Sequence, residues 1–92
     1  MPALNESQTK ELLARETSWK LEGGKLVRDW SFKDFVEAMQ FVNRIATLAE
    51  EAGHHPDIDI RYNKVRLGLV SHDAGGVTER DAAMASRISQ MK

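Results

Sequence analysis

Apolar residues recur at alternate positions in three short stretches of the chain, and in a fourth Leu26 and Trp30 share one parity, as is typical of β-strands that bury one face. The stretches cover residues 19–21, 25–30, 58–62 and 65–69. Gly23-Gly24 lies between the first two and supplies the positive φ angles of a tight turn, which predicts a hairpin. Asn63-Lys64 lies between the last two. Asparagine tolerates left-handed backbone geometry, so a second hairpin is predicted there.

Between the hairpins the apolar residues follow a helical period, which predicts a long helix from about Phe32 to Ala52. Ser31 and Asp34 resemble a capping box at its start, and Gly53 follows its end as a C-cap. One apolar stripe comprises Phe35, Met39, Val42, Ala46 and Ala49, and the other Ala38, Phe41, Ile45, Leu48 and Ala52. We expect one stripe to cover the sheet and the other to meet a neighbouring helix or another subunit. The alternative is a broad core within one monomer.

Two shorter helices complete the predicted order. The first runs from about Ser7 to Arg15, with Asn5 or Ser7 as its cap, and the last begins at about Thr78, with Asp81 in its first turn. The order helix, two strands, helix, two strands, helix predicts an α+β fold of two layers. A four-stranded, mostly antiparallel sheet would carry all three helices on one face. All 92 residues are expected to form one domain.

Composition excludes several classes of function. A net charge of -1 argues against a general nucleic-acid binder, which normally has a basic excess. No apolar run approaches the ~20 residues that span a bilayer, so no membrane partner is expected. The chain has no cysteine, which excludes disulfides, thiolate nucleophiles and cysteine-bound zinc. These features fit a cytoplasmic protein.

The chain has three histidines, in His54-His55-Pro56 and at His72. Neutral imidazole both donates and accepts protons near pH 7, so histidines that converge would suit acid–base chemistry. Proline restricts the residue before it, and Pro56 would therefore fix the direction of His55. The alternative is that all three are polar loop residues. A metal site is disfavoured because adjacent histidines point in different directions and no ligand spacing completes a set.

Three further residues have both a structural and a functional interpretation. Asp81 completes a capping box with Thr78 or supports a histidine from behind. Trp19 belongs to the core or forms a flat wall for a planar heterocycle. Glu50 is a solvated helix charge or a polar anchor beside the same cleft.

Together these residues resemble the pterin-4a-carbinolamine dehydratase family, also called the dimerisation-cofactor family. The resemblance covers the chain from about Leu12 to the last helix and is specific because several motifs occur in order. The motifs are Trp19-Lys20-Leu21-Glu22-Gly23, Phe32-Lys33-Asp34-Phe35, residues 49–56, Tyr62-Asn63-Lys64-Val65, Ser71-His72 and residues 76–81. Ser71 stands where the family often has threonine, and the hydroxyl is retained.

The resemblance implies a function for these positions. Family members dehydrate 4a-hydroxytetrahydropterin to quinonoid dihydropterin, without a metal or an organic cofactor, in tetrahydropterin recycling for aromatic amino acid hydroxylases. The implied active-site histidines are His54, His55 and His72, the implied pterin contacts are Trp19, Glu50, Pro56 and Ser71, and Asp81 is the implied support. A homodimer or homotetramer is implied, through the long central helix and a sheet edge. A non-catalytic, homo-oligomeric protein-binding module is the alternative function.

Overall fold

The computed structural model describes residues 2–91 and confirms the predicted order of helices and strands. The elements are α1 (Glu6–Arg15), β1 (Lys20–Glu22), β2 (Lys25–Ser31), α2 (Phe35–Ala52), β3 (Asp57–Arg61), β4 (Lys64–Leu69), a one-turn 3-10 helix (His72–Ala74) and α3 (Glu79–Ser89). The four strands form one sheet in the order β1-β2-β4-β3, with every neighbouring pair antiparallel. The fold is therefore α+β, as predicted.

The first helix and the first hairpin are built by local signals. Asn5 caps α1: its side chain accepts a hydrogen bond from Gln8 N, and the Gln8 side chain accepts one from Asn5 N. Gly23 and Gly24 have φ angles of +59° and +78°, which L-residues rarely adopt, and they join β1 to β2. Both features agree with the sequence prediction, with Asn5 rather than Ser7 as the cap.

The start of α2 differs from the prediction. The helix begins at Phe35, and its N-cap is Asp34, whose carboxylate accepts a hydrogen bond from Glu37 N. Ser31 is not a cap but the last residue of β2, paired with Lys64 of β4. The pairing of β2 with β4 therefore includes Ser31, the residue at which the sequence predicted the helix cap. The end of α2 is as predicted, because Gly53 adopts a left-handed φ of 62°.

The second hairpin also turns one residue earlier than predicted. Arg61 pairs with Lys64, so the turn residues are Tyr62 and Asn63, and Lys64 belongs to β4. Tyr62 adopts the positive φ, at 56°, the only such non-glycine residue among residues 2–91. Asn63 does not supply the positive φ that was predicted for it. It stabilises the turn, because its side-chain amide donates a hydrogen bond to the Phe32 carbonyl (2.8 Å).

One face of the sheet is covered by the helices, and the core lies between these two layers. Leu26, Arg28 and Trp30 of β2 lie opposite Leu69, Leu67 and Val65 of β4 on this face. Helix α2 packs over it and buries most of its apolar residues. These are Ala38, Phe41, Val42, Ile45, Leu48 and Ala49. Phe35, Ala46 and Ala52 of the predicted stripes remain exposed.

The other face of the sheet carries alternating charges. The Arg66 guanidinium binds Asp29 with two hydrogen bonds, of 2.7 and 3.0 Å, and Lys25 pairs with Asp57 (2.6 Å). None of the helices between residues 2 and 91 is both long and apolar enough to cross a bilayer.

Candidate active site

A cavity of about 270 Å³ lies where the end of α2, the end of β4 and the start of α3 meet. Its walls include all three histidines of the chain. The lining residues are Gly53, His54, His55, Val70, Ser71, His72, Asp73 and Arg80. The structure therefore brings together residues that are up to 27 positions apart in the sequence. Its volume is slightly below the range of about 300–1,000 Å³ that is usual for small-molecule sites.

His54 is held by a buried carboxylate. Its Nε2 lies 2.5 Å from Asp81 Oδ1, and the Asp81 residue is 0% exposed. Asp81 Oδ2 accepts two more hydrogen bonds, from Thr78 N and Ser71 Oγ, both of 2.9 Å. All three partners can donate, so both oxygens of this buried carboxyl group have hydrogen-bond partners. A neutral His54 ring that donates from Nε2 to Asp81 carries its lone pair on Nδ1, which has no hydrogen-bond partner among residues 2–91.

A chain of hydroxyl groups orients this carboxylate. Thr78 caps α3 by accepting a hydrogen bond from Arg80 N (3.2 Å), and its hydroxyl lies 2.8 Å from Ser71 Oγ. Since Ser71 donates to Asp81, Thr78 must donate to Ser71. All donor directions from Thr78 to the carboxylate are thus fixed, and the cap of α3 is part of the support of His54.

His55 is paired with a second carboxylate but is far more exposed than His54. Its Nε2 forms a hydrogen bond with Oε2 of Glu50, which lies in the last turn of α2. More than half of each side chain is exposed, whereas the His54 side chain is only 11% exposed. The contact orients the His55 ring and leaves Nδ1 without a hydrogen-bond partner among residues 2–91. Solvent weakens the electrostatic contribution of the contact between His55 and Glu50.

His72 opens the one-turn 3-10 helix after β4. The turn is closed by the pairing of Ser71 with Gly76 and by Gly75, whose φ of +71° favours glycine. Within residues 2–91 the His72 ring has no hydrogen-bond partner, so both of its nitrogens are free. Asp73, the next residue, forms an ion pair with Arg80 of α3 (2.7 Å).

The predicted site residues fall into three groups. Ser71 and the three histidines line the cavity, whereas Glu50 and Asp81 lie behind it, each bonded to a histidine. Pro56 lies just outside, immediately before β3.

Trp19 is remote from the cavity of its own chain. It is 3% exposed, packs edge-to-face on Trp30 at 5.9 Å, and donates its indole N–H to Ser89 at the other end of α3 (3.3 Å). These contacts place Trp19 in the hydrophobic core.

Sequence reasoning missed Asp73 and Arg80 as parts of the cavity wall. The signal was present but ambiguous, since a charge after a strand and a charge in the first turn of a helix are usually solvated. Among residues 2–91 no group of three or more histidine, aspartate or glutamate side chains has the arrangement of a metal site.

Two larger depressions lie elsewhere, with volumes of about 450 and 500 Å³. Both are on the charged face of the sheet and share Asp59 and Arg66, and neither has a histidine in its wall. Most of their charges are already paired with one another, as in the Asp29–Arg66 contact. The histidine cavity is the one that offers groups able to exchange protons near neutral pH.

Comparison with known sequences agrees with this site. The sequence profile of the family described as pterin 4 alpha carbinolamine dehydratase matches residues 2–91. A protein of Chloroflexus aurantiacus, provisionally named pterin-4-alpha-carbinolamine dehydratase, is 52% identical over 91 residues, covering 99% of this chain and 98% of that protein. A protein of Acidobacterium capsulatum with the same provisional name is 53% identical over 91 residues, with 99% of each covered.

Solved structures agree as well. The crystal structure described as a transcriptional coactivator/pterin dehydratase from Brucella melitensis superposes with a TM-score of 0.88, at 36% identity over 95% of each chain. A pterin dehydratase-like protein, described as a RuBisCO assembly factor in the alpha-carboxysome, has a TM-score of 0.65 at 28% identity, covering 77% of this chain and 84% of its own. By sequence over nearly its whole length, and by fold, the chain belongs to the pterin 4 alpha carbinolamine dehydratase family.

Proposed function

We propose that this protein is an enzyme that dehydrates 4a-hydroxytetrahydrobiopterin to quinonoid dihydropterin and water, in tetrahydropterin recycling for aromatic amino acid hydroxylases. The observation that carries the proposal is the convergence of three histidines on one cavity, two of them bonded to carboxylates. Family membership supports the choice of substrate.

The reaction needs two proton movements. The hydroxyl at C4a leaves as water after it gains a proton, and a ring nitrogen loses a proton as the double bond forms. The two transfers balance, so the protein supplies no electrons and consumes no co-reactant. Positioned histidines suit both transfers near pH 7 and contribute about 10²–10⁴-fold each.

The environments of the three rings suggest how they divide this work. His54 is nearly buried and held by Asp81, so it suits a fixed role: its Nδ1 would position the hydroxyl or stabilise developing charge. His55 and His72 are more exposed and keep at least one free ring nitrogen each. We assign these two as the main acid–base pair, with Ser71 and Pro56 shaping the pterin site around them.

Replacing His55 and His72 with alanine, separately and together, tests this assignment. Each single variant is expected to lose about 10²–10⁴-fold in kcat, and the double variant more than either. The assay is the ultraviolet change on carbinolamine dehydration, with folding checked by circular dichroism. Gln40→Ala, at an exposed position of α2, is the matched control. A folded double variant with near-wild-type rates would contradict the assignment.

We further propose that the protein acts as a homo-oligomer. All five residues of β3 are exposed at the edge of the sheet, with Ile58 and Ile60 each 38% exposed. Phe35 and Val36 at the start of α2 are also exposed apolar residues. An unprotected edge strand and a thin core favour pairing with a second copy. Sedimentation equilibrium should give twice or four times 10.4 kDa, and a stable 10.4 kDa species would contradict this.

A protein-binding module without catalysis is the second candidate. The same exposed apolar edge favours it, and one structural relative is described as an assembly factor. The dehydration assay separates the two functions, because a binding module has no reason to accelerate the loss of water from a pterin.

A further inference from the structure

Arg80 occupies an unusual position in the wall of the histidine cavity. It lies in the first turn of α3, and its Nη2 donates a hydrogen bond to Asp73 Oδ1 (2.7 Å). Its Nε is buried and has no hydrogen-bond partner among residues 2–91. The guanidinium is therefore fixed at one end by an ion pair and enclosed near its stem.

The ion pair joins α3 to the segment that carries His72. Asp73 is the second residue of the 3-10 helix that begins at His72. Backbone hydrogen bonds from Ala74 to Ser71 (3.1 Å) and from Gly75 to His72 (3.2 Å) close this turn. A turn of three residues has few contacts of its own, so the link from Asp73 to Arg80 limits how far the turn can rotate.

Stability does not explain this arrangement. Both side chains are more than one-third exposed, and ion pairs of this kind contribute little to folding. A buried N–H without an acceptor is unfavourable by a comparable or larger amount. The hydrogen bond from Arg80 also keeps the pKa of Asp73 below its usual range, so this contact favours the ionised form of the Asp73 carboxyl. What the arrangement provides is a fixed geometry.

We propose that Arg80, acting through Asp73, is a positioning residue that sets where the His72 ring stands in the cavity. The neighbouring residue in α3, Asp81, holds His54 by a direct hydrogen bond to its ring. The first turn of α3 thus orients two of the three histidines through two side chains of opposite charge. The kinetic part of this inference rests on the proposed dehydratase function.

The kinetic test compares Arg80→Gln, Asp73→Asn and the double variant in the carbinolamine assay. Each single variant should lose about 10- to 100-fold in kcat with KM within about twofold, because a small displacement of a reacting group is costly. The double variant should lose no more than the worse single one, since both changes break one contact. The charge-swapped variant Asp73→Arg/Arg80→Asp should recover part of kcat. Arg87→Gln, which changes an exposed arginine of the same helix, is the matched control.

A second measurement does not depend on the activity. Amide exchange of Ala74 and Gly75, followed by NMR, should accelerate about two- to fivefold in Arg80→Gln and in Asp73→Asn, the loss expected for an exposed ion pair. Exchange in the middle of α3 should not change. If the wild type fails to dehydrate the carbinolamine, the proposed function fails, and the exchange data alone still decide whether the contact holds the turn.

Two results would overturn the inference. One is unchanged exchange at Ala74 and Gly75 in both single variants. The other is a loss confined to KM in Arg80→Gln with wild-type kinetics in Asp73→Asn, because Arg80 would then contact the substrate directly rather than act through Asp73.

Discussion

The exchange of Asp81 for asparagine tests the support of His54 most sharply. Asparagine has the same shape, so its amide oxygen can still accept the hydrogen bonds from Ser71 and Thr78 that Asp81 Oδ2 accepts. Its amide nitrogen then faces His54 Nε2, where the carboxylate oxygen had accepted a hydrogen bond. To avoid two opposed N–H groups, His54 must move its proton from Nε2 to Nδ1.

The expected magnitudes follow from these contacts. Each of the two retained bonds changes from charge-assisted, about 1.5–3 kcal/mol, to neutral, about 0.5–1.5 kcal/mol. The total loss is about 2 kcal/mol, which lowers Tm by about 8–16 °C in a domain of this size. Since Nδ1 now presents a proton instead of a lone pair to the cavity, kcat should fall about 10²- to 10³-fold, the usual effect of removing one preorganised polar partner.

Three measurements check this prediction at one fixed protein concentration. They are thermal unfolding, the dehydration assay, and a long-range nitrogen–proton NMR correlation that distinguishes the two tautomers of His54. Glu79→Gln is the control, because it makes the same change of charge in the first turn of α3 at an exposed residue. The reasoning is refuted if Asp81→Asn keeps kcat within about twofold of the wild type while His54 retains its Nε2 proton.

Two further predictions concern residues outside the cavity. Trp19→Phe removes the indole hydrogen bond to Ser89 and part of a buried ring, so the free energy of unfolding should fall by about 1–2 kcal/mol. The kcat and KM of dehydration should not change. A raised KM would instead indicate that Trp19 contacts the pterin. The hydrogen bonds from Arg66 hold the pKa of Asp29 below its usual range, so the stability from this pair is present above about pH 4 and is lost as the pH falls through the depressed value. The Tm difference between wild type and Asp29→Asn should therefore shrink from about pH 4 downward in thermal scans, and a difference that grows with acid would contradict the sign.

Most of the fold could be predicted because its signals are local. The left-handed glycines at Gly23, Gly24 and Gly53 punctuate the chain at turns and at a helix end, and each does so where expected. The prediction failed where a distant partner decides the outcome. Ser31 has the sequence context of a cap, but its pairing with Lys64 keeps it in the sheet.

The turn at Tyr62 shows the same limit. A bulky residue adopts the left-handed region only when its surroundings compensate. Here Asn63 fixes the turn through hydrogen bonds with Phe32, 31 residues earlier, and the strand register places Tyr62 at the strained position. The residue types near the turn favoured asparagine as the residue with a positive φ. No local sequence pattern reveals the distant hydrogen bonds that allow Tyr62 to adopt it instead.

The site was predicted unevenly for the same reason. Two adjacent histidines are easily recognised in a sequence as candidate site residues. Whether they lie near His72 and Asp81 depends on how three segments of the chain converge. The family resemblance supplied that convergence, since the spacing of the residues did not. Trp19 illustrates the opposite case: an aromatic residue before a strand suits a ligand wall or a core equally, and only packing places it beside Trp30.

The proposed role of the three histidines is to dehydrate a pterin carbinolamine. The most direct measurement supplies 4a-hydroxytetrahydrobiopterin from an aromatic amino acid hydroxylase in the cuvette and follows its dehydration in the ultraviolet as purified protein is added. We expect a rate that rises in proportion to the protein concentration and falls with the His55→Ala/His72→Ala double variant. A rate that is the same with and without the folded wild-type protein would contradict the claim.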